Sequence, residues 1–224
     1  MSSKLVLIHT VPPLIGTFTS LGAELLPDVQ LLHVLDEVIL ERVRQRGRLD
    51  PQDAERLRAH VVSAEEIGAT AVLVTCSTIS PCVDEVRPRV GIPVIKIDEA
   101  MVARAVDSGT RIGLVATNPA TIEPSSQLLR VRAAQQGKPI EVHARLAEGA
   151  FAAVLSGDGA THDRLVRDAV LDLAPSVDVI VLAQASMARV LATLPEHERP
   201  VPILSSPHMA LDQVRQAIDD TKLA

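Results

Sequence analysis

Residues Gly68–Thr78 read GATAVLVTCST, and residues Pro175–Ser186 read PSVDVIVLAQAS. Each passes from a helix end into a short apolar, β-branched run, then into a loop of small polar residues. An apolar run without polar alternation suits a parallel strand buried on both faces. The same shape recurring in the other half of the chain points to two similar lobes. A second pair agrees: KLVLIHT near the start (Lys4–Thr10) and RIGLVAT at Arg111–Thr117.

Outward from these runs, strand and helix signals alternate. Strands are expected at Lys4–His9 (ended by Pro12-Pro13), Val29–Val34, Ala71–Thr75, Pro93–Ile97, Arg111–Thr117, Ile140–Ala144, Val177–Leu182 and Val201–Leu204. Helices are expected at Leu35–Arg46, stopped by Gly47, and at Pro51–Ile67, where Ala54, Leu57, Val61 and Ala64 have helical spacing and Gly68 closes the run. Further helices are expected at Val83–Val90, Glu99–Ser108, Thr121–Gln136, Asp163–Leu173, Met187–Leu194 and His208–Thr221. Such alternation predicts βαβ units and parallel sheets. The expected class is α/β: two similar lobes, each a mostly parallel sheet flanked by helices, related by pseudo-two-fold symmetry with the site between them. The first lobe is expected to span residues 1–98 plus 205–224, and the second residues 99–204. Ligands of open α/β sheets bind beyond the carboxyl ends of the strands, so the four paired loops are expected to face one cleft.

Composition narrows the function. The 224 residues are 47% hydrophobic, and the net charge is 22 − 28 = −6, so the chain can bury a core and carries no basic stripe. Nucleic acid is not an expected partner, because phosphate neutralisation needs such a stripe and base stacking needs more than Phe18 and Phe151. No apolar run approaches the roughly 20 residues that span a bilayer, and no charged-then-apolar leader opens the chain. Cys76 and Cys82 are too close together to make a useful staple, so a reducing, cytoplasmic setting is expected. No paired Cys/His grouping suggests a metal, and no GxGxxG or GxxxxGK suggests a nucleotide cofactor; Gly157-Asp158-Gly159 reads as a turn. Arg42, Arg44, Arg46 and Arg48 read as a solvated helix face or a dimer contact.

Cys76 directly follows a strand and precedes Ser77, Thr78, Ser80 and Pro81, with Asp84 and Glu85 in the first turn of the next helix. Amides and hydroxyls ahead of a helix N-terminus cradle carboxylates, and the same field is expected to lower a thiol's pKa. A thiol beside bound carboxylate oxygens suits proton transfer at Cα. Position alone leaves Cys76 between that role and a packed small hydrophobe, the role expected of Cys82. His9, which opens the Pro12-Pro13 loop, and His208 sit near strand ends and carry groups that titrate near neutrality; His33 reads equally as a packing histidine. His60, His143, His162 and His197 read as surface or structural.

VLVTCSTIS followed by GIPVIKIDEAM, RIGLVATNPATIEPSS, DVIVLAQASM and HVLDEVIL together resemble the aspartate/glutamate/hydantoin racemase superfamily over nearly the whole chain. The resemblance implies a cofactor-independent isomerase acting at the Cα of a small carboxylate, with no metal, and it allows a homodimer. It places Cys76 as one acid/base and Ser77, Thr78, Thr117, Asn118, Ala185 and Ser186 around the carboxylate. Pro12, in a Val11-Pro12-Pro13 loop that resembles the arylmalonate decarboxylase branch, joins the substrate-binding candidates. At the second thiol position the motif has Gln184, which has no titratable proton. Two-thiol inversion is therefore not expected. His9 or His208 could supply the second base, the chemistry could be a one-sided lyase or decarboxylase reaction, or the chain could be an inactive carboxylate-binding homologue.

Overall fold

The structure, a computed structural model, describes residues 3–223. Its eight strands form two four-stranded sheets, parallel throughout. In the first, β1 (Ser3–His9) and β3 (Ala71–Val74) are central, and β2 (Val29–Leu35) and β4 (Val94–Lys96) flank them in the order β2-β1-β3-β4. In the second, β5 (Arg111–Ala116) and β7 (Val179–Leu182) are central, flanked by β6 (Glu141–Leu146) and β8 (Ile203–Ser205) in the order β6-β5-β7-β8. The chain forms two compact units. One holds the chain through Ile97 together with the segment from Pro207 onward, and the other is Asp98–Ser206.

Burial explains which strands lie inside. β3 and β7 are buried at every residue, whereas the edge strands β2 and β6 carry only half-buried and exposed positions. In the first unit, α2 (Glu37–Arg46) and α3 (Pro51–Glu66) place Ile39, Val43, Leu57 and Val61 in one core with Val6, Ile8, Val72 and Val74. Burying each such aliphatic side chain is worth about 1.5–3 kcal/mol. α4 (Cys82–Val86) adds Cys82, Val83 and Val86 to that core. α1 (Pro13–Leu25) buries Leu14 and Phe18. In the second unit, α5 (Glu99–Ser108), α6 (Pro119–Gln135), α7 (Ala150–Leu155), α8 (Gly159–Leu173) and α9 (Ala188–Thr193) surround the sheet; α10 (Ser206–Leu223) ends the chain and runs almost wholly in the first unit.

Helix ends follow local chemistry. The Asp36 side chain accepts from the Ile39 amide at the start of α2, and Gly47 ends that helix with a φ of 71° that L side chains rarely adopt. Asp50 and Asp53 form a capping box on α3. Asn118 caps α6 and Asp158 caps α8.

Several expectations are corrected. Leu35 ends β2 rather than opening a helix, because Asp36 takes the cap position. Pro12-Pro13 does not break the chain into loop: Pro13 is the first residue of α1, where a missing N–H costs nothing. The helix expected over Val83–Val90 is one turn of α4 followed by a 3-10 turn, Arg87–Arg89. The arginine run is not merely solvated. Arg46 and Arg42 reach the fully buried Asp53 of α3, with Arg42 Nε 3.4 Å from its carboxylate, while Arg44 pairs with Glu41. Among the described residues no helix is long and apolar enough to cross a membrane.

Candidate active site

The two units build their strand ends in the same way. Thr75 N donates to Ile8 O (3.0 Å) in the first, and Ala183 N donates to Val115 O (2.9 Å) in the second. Asp36 N donates to His9 O, and Ala147 N to Ala116 O, both at 2.8 Å. Thr10 and Thr117 therefore each follow the central strand, and Cys76 and Gln184 each lie two residues past the neighbouring one. In both units these two residues bond to one another.

In the first unit Cys76 is half-buried and the chain beyond it winds through tight turns: Ile79 N donates to Cys76 O (3.2 Å), Ser80 N to Ser77 O (3.3 Å) and Cys82 N to Ile79 O (3.0 Å). The thiol meets the hydroxyls of Thr10 and Thr78 and the amides of Thr78 and Ile79. Those four donors favour the anion, but burial outweighs them and pushes the Cys76 thiol up. This corrects the expected lowering: the following helix, α4, begins only at Cys82, so no helix N-terminus acts directly on the sulfur. Ser77 and Thr78 are buried beside the thiol. Cys82 is a core residue whose thiol is pushed up to about 12, by burial first and then by Asp53, Glu85 and Cys76.

In the second unit the amide of Gln184 is held at both ends. Its Oε1 accepts from Thr117 N at 2.9 Å, and its Nε2 donates to Thr121 Oγ1 at 2.8 Å. A backbone amide can only donate, so this amide orientation is fixed by its partners. Thr117 N is thereby occupied, while Thr117 Oγ1 is buried without a partner. Asn118 is buried and its Oδ1 accepts from Ala120 N at 3.1 Å. Ala185, buried, and Ser186, half-buried, open the 3-10 turn Ala185–Met187.

The remaining candidates occupy β1, β2 and the starts of α10 and α1. His9 ends β1 fully buried, its pKa lowered to about 4 by burial and then by His33, so it does not titrate near neutrality as expected. His33 lies on β2 and bonds to His9. His208 is exposed on the first turn of α10, and Pro12 is exposed at the N-cap of α1. Thr10, Thr75, Thr121 and the Ile79 amide were missed. For Thr10 a signal existed, since KLVLIHT and RIGLVAT both end in threonine. Among the described residues no group of three or more His, Cys, Asp or Glu could hold a metal ion.

Two parallel-sheet units with equivalent loops of this kind define a duplicated α/β scaffold. The sequence profile of the Asp/Glu/Hydantoin racemase family matches residues 17–214, and the chain belongs to that family. Membership supports an isomerase-type function of the racemase kind. Among solved structures, the glutamate racemase of Thermus thermophilus in complex with Beta-chloro-D-alanine is 17% identical, with a TM-score of 0.76 over 99% of this chain and 82% of that one. The Picrophilus torridus aspartate racemase is 14% identical, with a TM-score of 0.75 over 99% and 98%. The allantoin racemase from Klebsiella pneumoniae is 20% identical, with a TM-score of 0.74 over 97% and 88%. At these identities the likeness establishes the fold. No curated protein sequence matches the chain significantly.

Proposed function

We propose that this chain is a cofactor-independent enzyme that transfers a proton at the Cα of a small carboxylate, with Cys76 as the acid/base. The observation that carries the proposal is the set of four donors around a half-buried thiol that burial keeps protonated. Such a thiol is a proton donor at rest. Once the proton leaves, the Thr10 and Thr78 hydroxyls and the Thr78 and Ile79 amides hold the thiolate, which keeps the transfer reversible. Ser77 and Thr78, buried next to Cys76 in the first unit, supply the small polar surroundings proposed for the carboxylate, and glutamate, aspartate and allantoin, the substrates named for the structural neighbours, are the first compounds to try.

Gln184 favours a one-sided version of this chemistry. It has no proton to exchange, and both ends of its amide are engaged within its own unit. Protonation from the Cys76 side alone gives one product hand, as in a lyase or decarboxylase of this superfamily. The test is incorporation of deuterium at Cα from heavy water, read by proton NMR. Exchange by the wild type and its loss in Cys76→Ser are expected. Undiminished exchange in Cys76→Ser would remove the thiol from the mechanism. Stabilisation by a carboxylate without turnover would mark a binding protein instead.

A further inference from the structure

Beneath the Thr10–Cys76 contact runs a chain of four side chains that the proposed chemistry does not use. Thr75 Oγ1 donates to Ile8 O at 3.0 Å, and His9 Nδ1 lies 2.9 Å from the same hydroxyl. His9 Nε2 is 2.9 Å from His33 Nδ1, and the two rings lie within 20° of parallel. His33 Nε2 is 3.3 Å from Thr19 Oγ1, which donates to Ile15 O at 2.8 Å. The chain leads from the buried end of β3, across β1 and β2, to the exposed face of α1.

Counting protons shows what this arrangement requires. Each of its five contacts needs one proton. Two hydroxyls and two neutral imidazoles supply only four. We propose that His9 and His33 act as one proton-binding pair that positions the ends of β1 and β3 under Cys76. With one added proton all five contacts are made together. Without it one of the five contacts is left without a proton, and the long 3.3 Å approach of His33 Nε2 to Thr19 is the weakest of them.

The added proton belongs on His33, next to the exposed Thr19. Burial resists a charge on both rings, and a charged His33 resists a second one on His9. The pair therefore charges once, below the ordinary histidine range. Its surroundings hold few other ionisable groups. α1 presents Phe18 and Thr19, and its one charged residue, Glu24, lies about 140° further round the helix from Thr19. The segment just past β3 contributes Thr75 and then Cys76. Lys4 is at the far end of β1, bonded to Ile67 O. Past β2, the Asp36 carboxylate is engaged by Arg56 and His60.

Only the consequence for the thiol rests on the proposed function; the proton count does not. The test is nitrogen-15 NMR of the histidine rings from pH 7.5 to 4.5, with the Thr10 and Cys76 amides followed in parallel. Expected is a single uptake of one proton by the pair, centred on His33, with both amides shifting at the same midpoint. His33→Gln should remove that common midpoint. Thr19→Val deletes two contacts and leaves three, which four proton donors less one hydroxyl can satisfy without charge. Its midpoint should fall by about half a unit to one unit. Independent titration of both rings near 6.5, an unmoved midpoint in Thr19→Val, or Thr10 and Cys76 amides indifferent to the titration would each overturn the proposal. The ring titration should persist in Cys76→Ser whether or not that variant is active, which separates this inference from the catalytic one.

Discussion

Replacing Gln184 by alanine tests whether its amide is a structural tie. The substitution removes the acceptor of Thr117 N and the donor to Thr121 Oγ1, at 2.9 Å and 2.8 Å. Thr117 is buried, so its amide would be left without a partner at a cost of about 1–3 kcal/mol. The lost bond to the Thr121 hydroxyl, which can turn to another acceptor, adds about 0.5–1.5 kcal/mol. A total near 3 kcal/mol corresponds to a fall in Tm of roughly 6–12 °C for a chain of this size. Gln184→Glu keeps the shape and can accept from both Thr117 N and the Thr121 hydroxyl, so its expected cost is under about 1 kcal/mol. Differential scanning calorimetry of the three proteins at pH 7 reads the comparison. If Gln184→Ala melts within about a degree of the wild type, the amide ties nothing and Gln184 is free to face a ligand.

Three further outcomes are expected. In the native protein iodoacetamide should modify Cys76 and spare Cys82, and the Cys76 rate should rise about tenfold per pH unit from pH 7 to 8.5, because burial keeps the thiol protonated there; a rate already level at pH 7 would contradict the raised pKa. His9 should make the protein less stable in mild acid. Its folded pKa of about 4 lies below the ordinary 6.5, so the unfolded chain takes up the proton first as pH falls, and up to about 3 kcal/mol is lost between pH 6.5 and 4, with no effect above that window. Urea melts of the wild type and His9→Gln across that range should differ in slope, and parallel curves would count against it. Asp53→Ala should destabilise the first unit by about 2–3 kcal/mol, since Asp50 N loses its acceptor and the partly exposed Arg42 and Arg46 lose their buried partner; a loss under about 1 kcal/mol in chemical denaturation would show the arginines to be solvated after all.

How much of this was legible in the sequence depends on the range of the interaction involved. Strand positions and the two-lobed α/β class follow from short apolar runs and their repetition, and Cys76 follows from standing at a strand end before small polar residues. Those are local signals, set by side-chain periodicity and backbone preference. Gln184 at the equivalent place in the second half was also visible, because duplication makes one half a template for the other. The state of each group was not visible. Whether the Cys76 thiol is raised or lowered depends on how dry its surroundings are and on Thr10, which is distant in sequence. His9 meets His33 only because β1 and β2 are neighbours, and Gln184 meets Thr117 and Thr121 only because β7 lies beside β5. Asp53 turns two arginines from a surface stripe into an internal anchor. The sequence alone determined which residues stand at the strand ends, since that is local chemistry. Tertiary structure decided what each of them bonds to and which protons it keeps, since desolvation and partner choice come from contacts between distant parts of the chain.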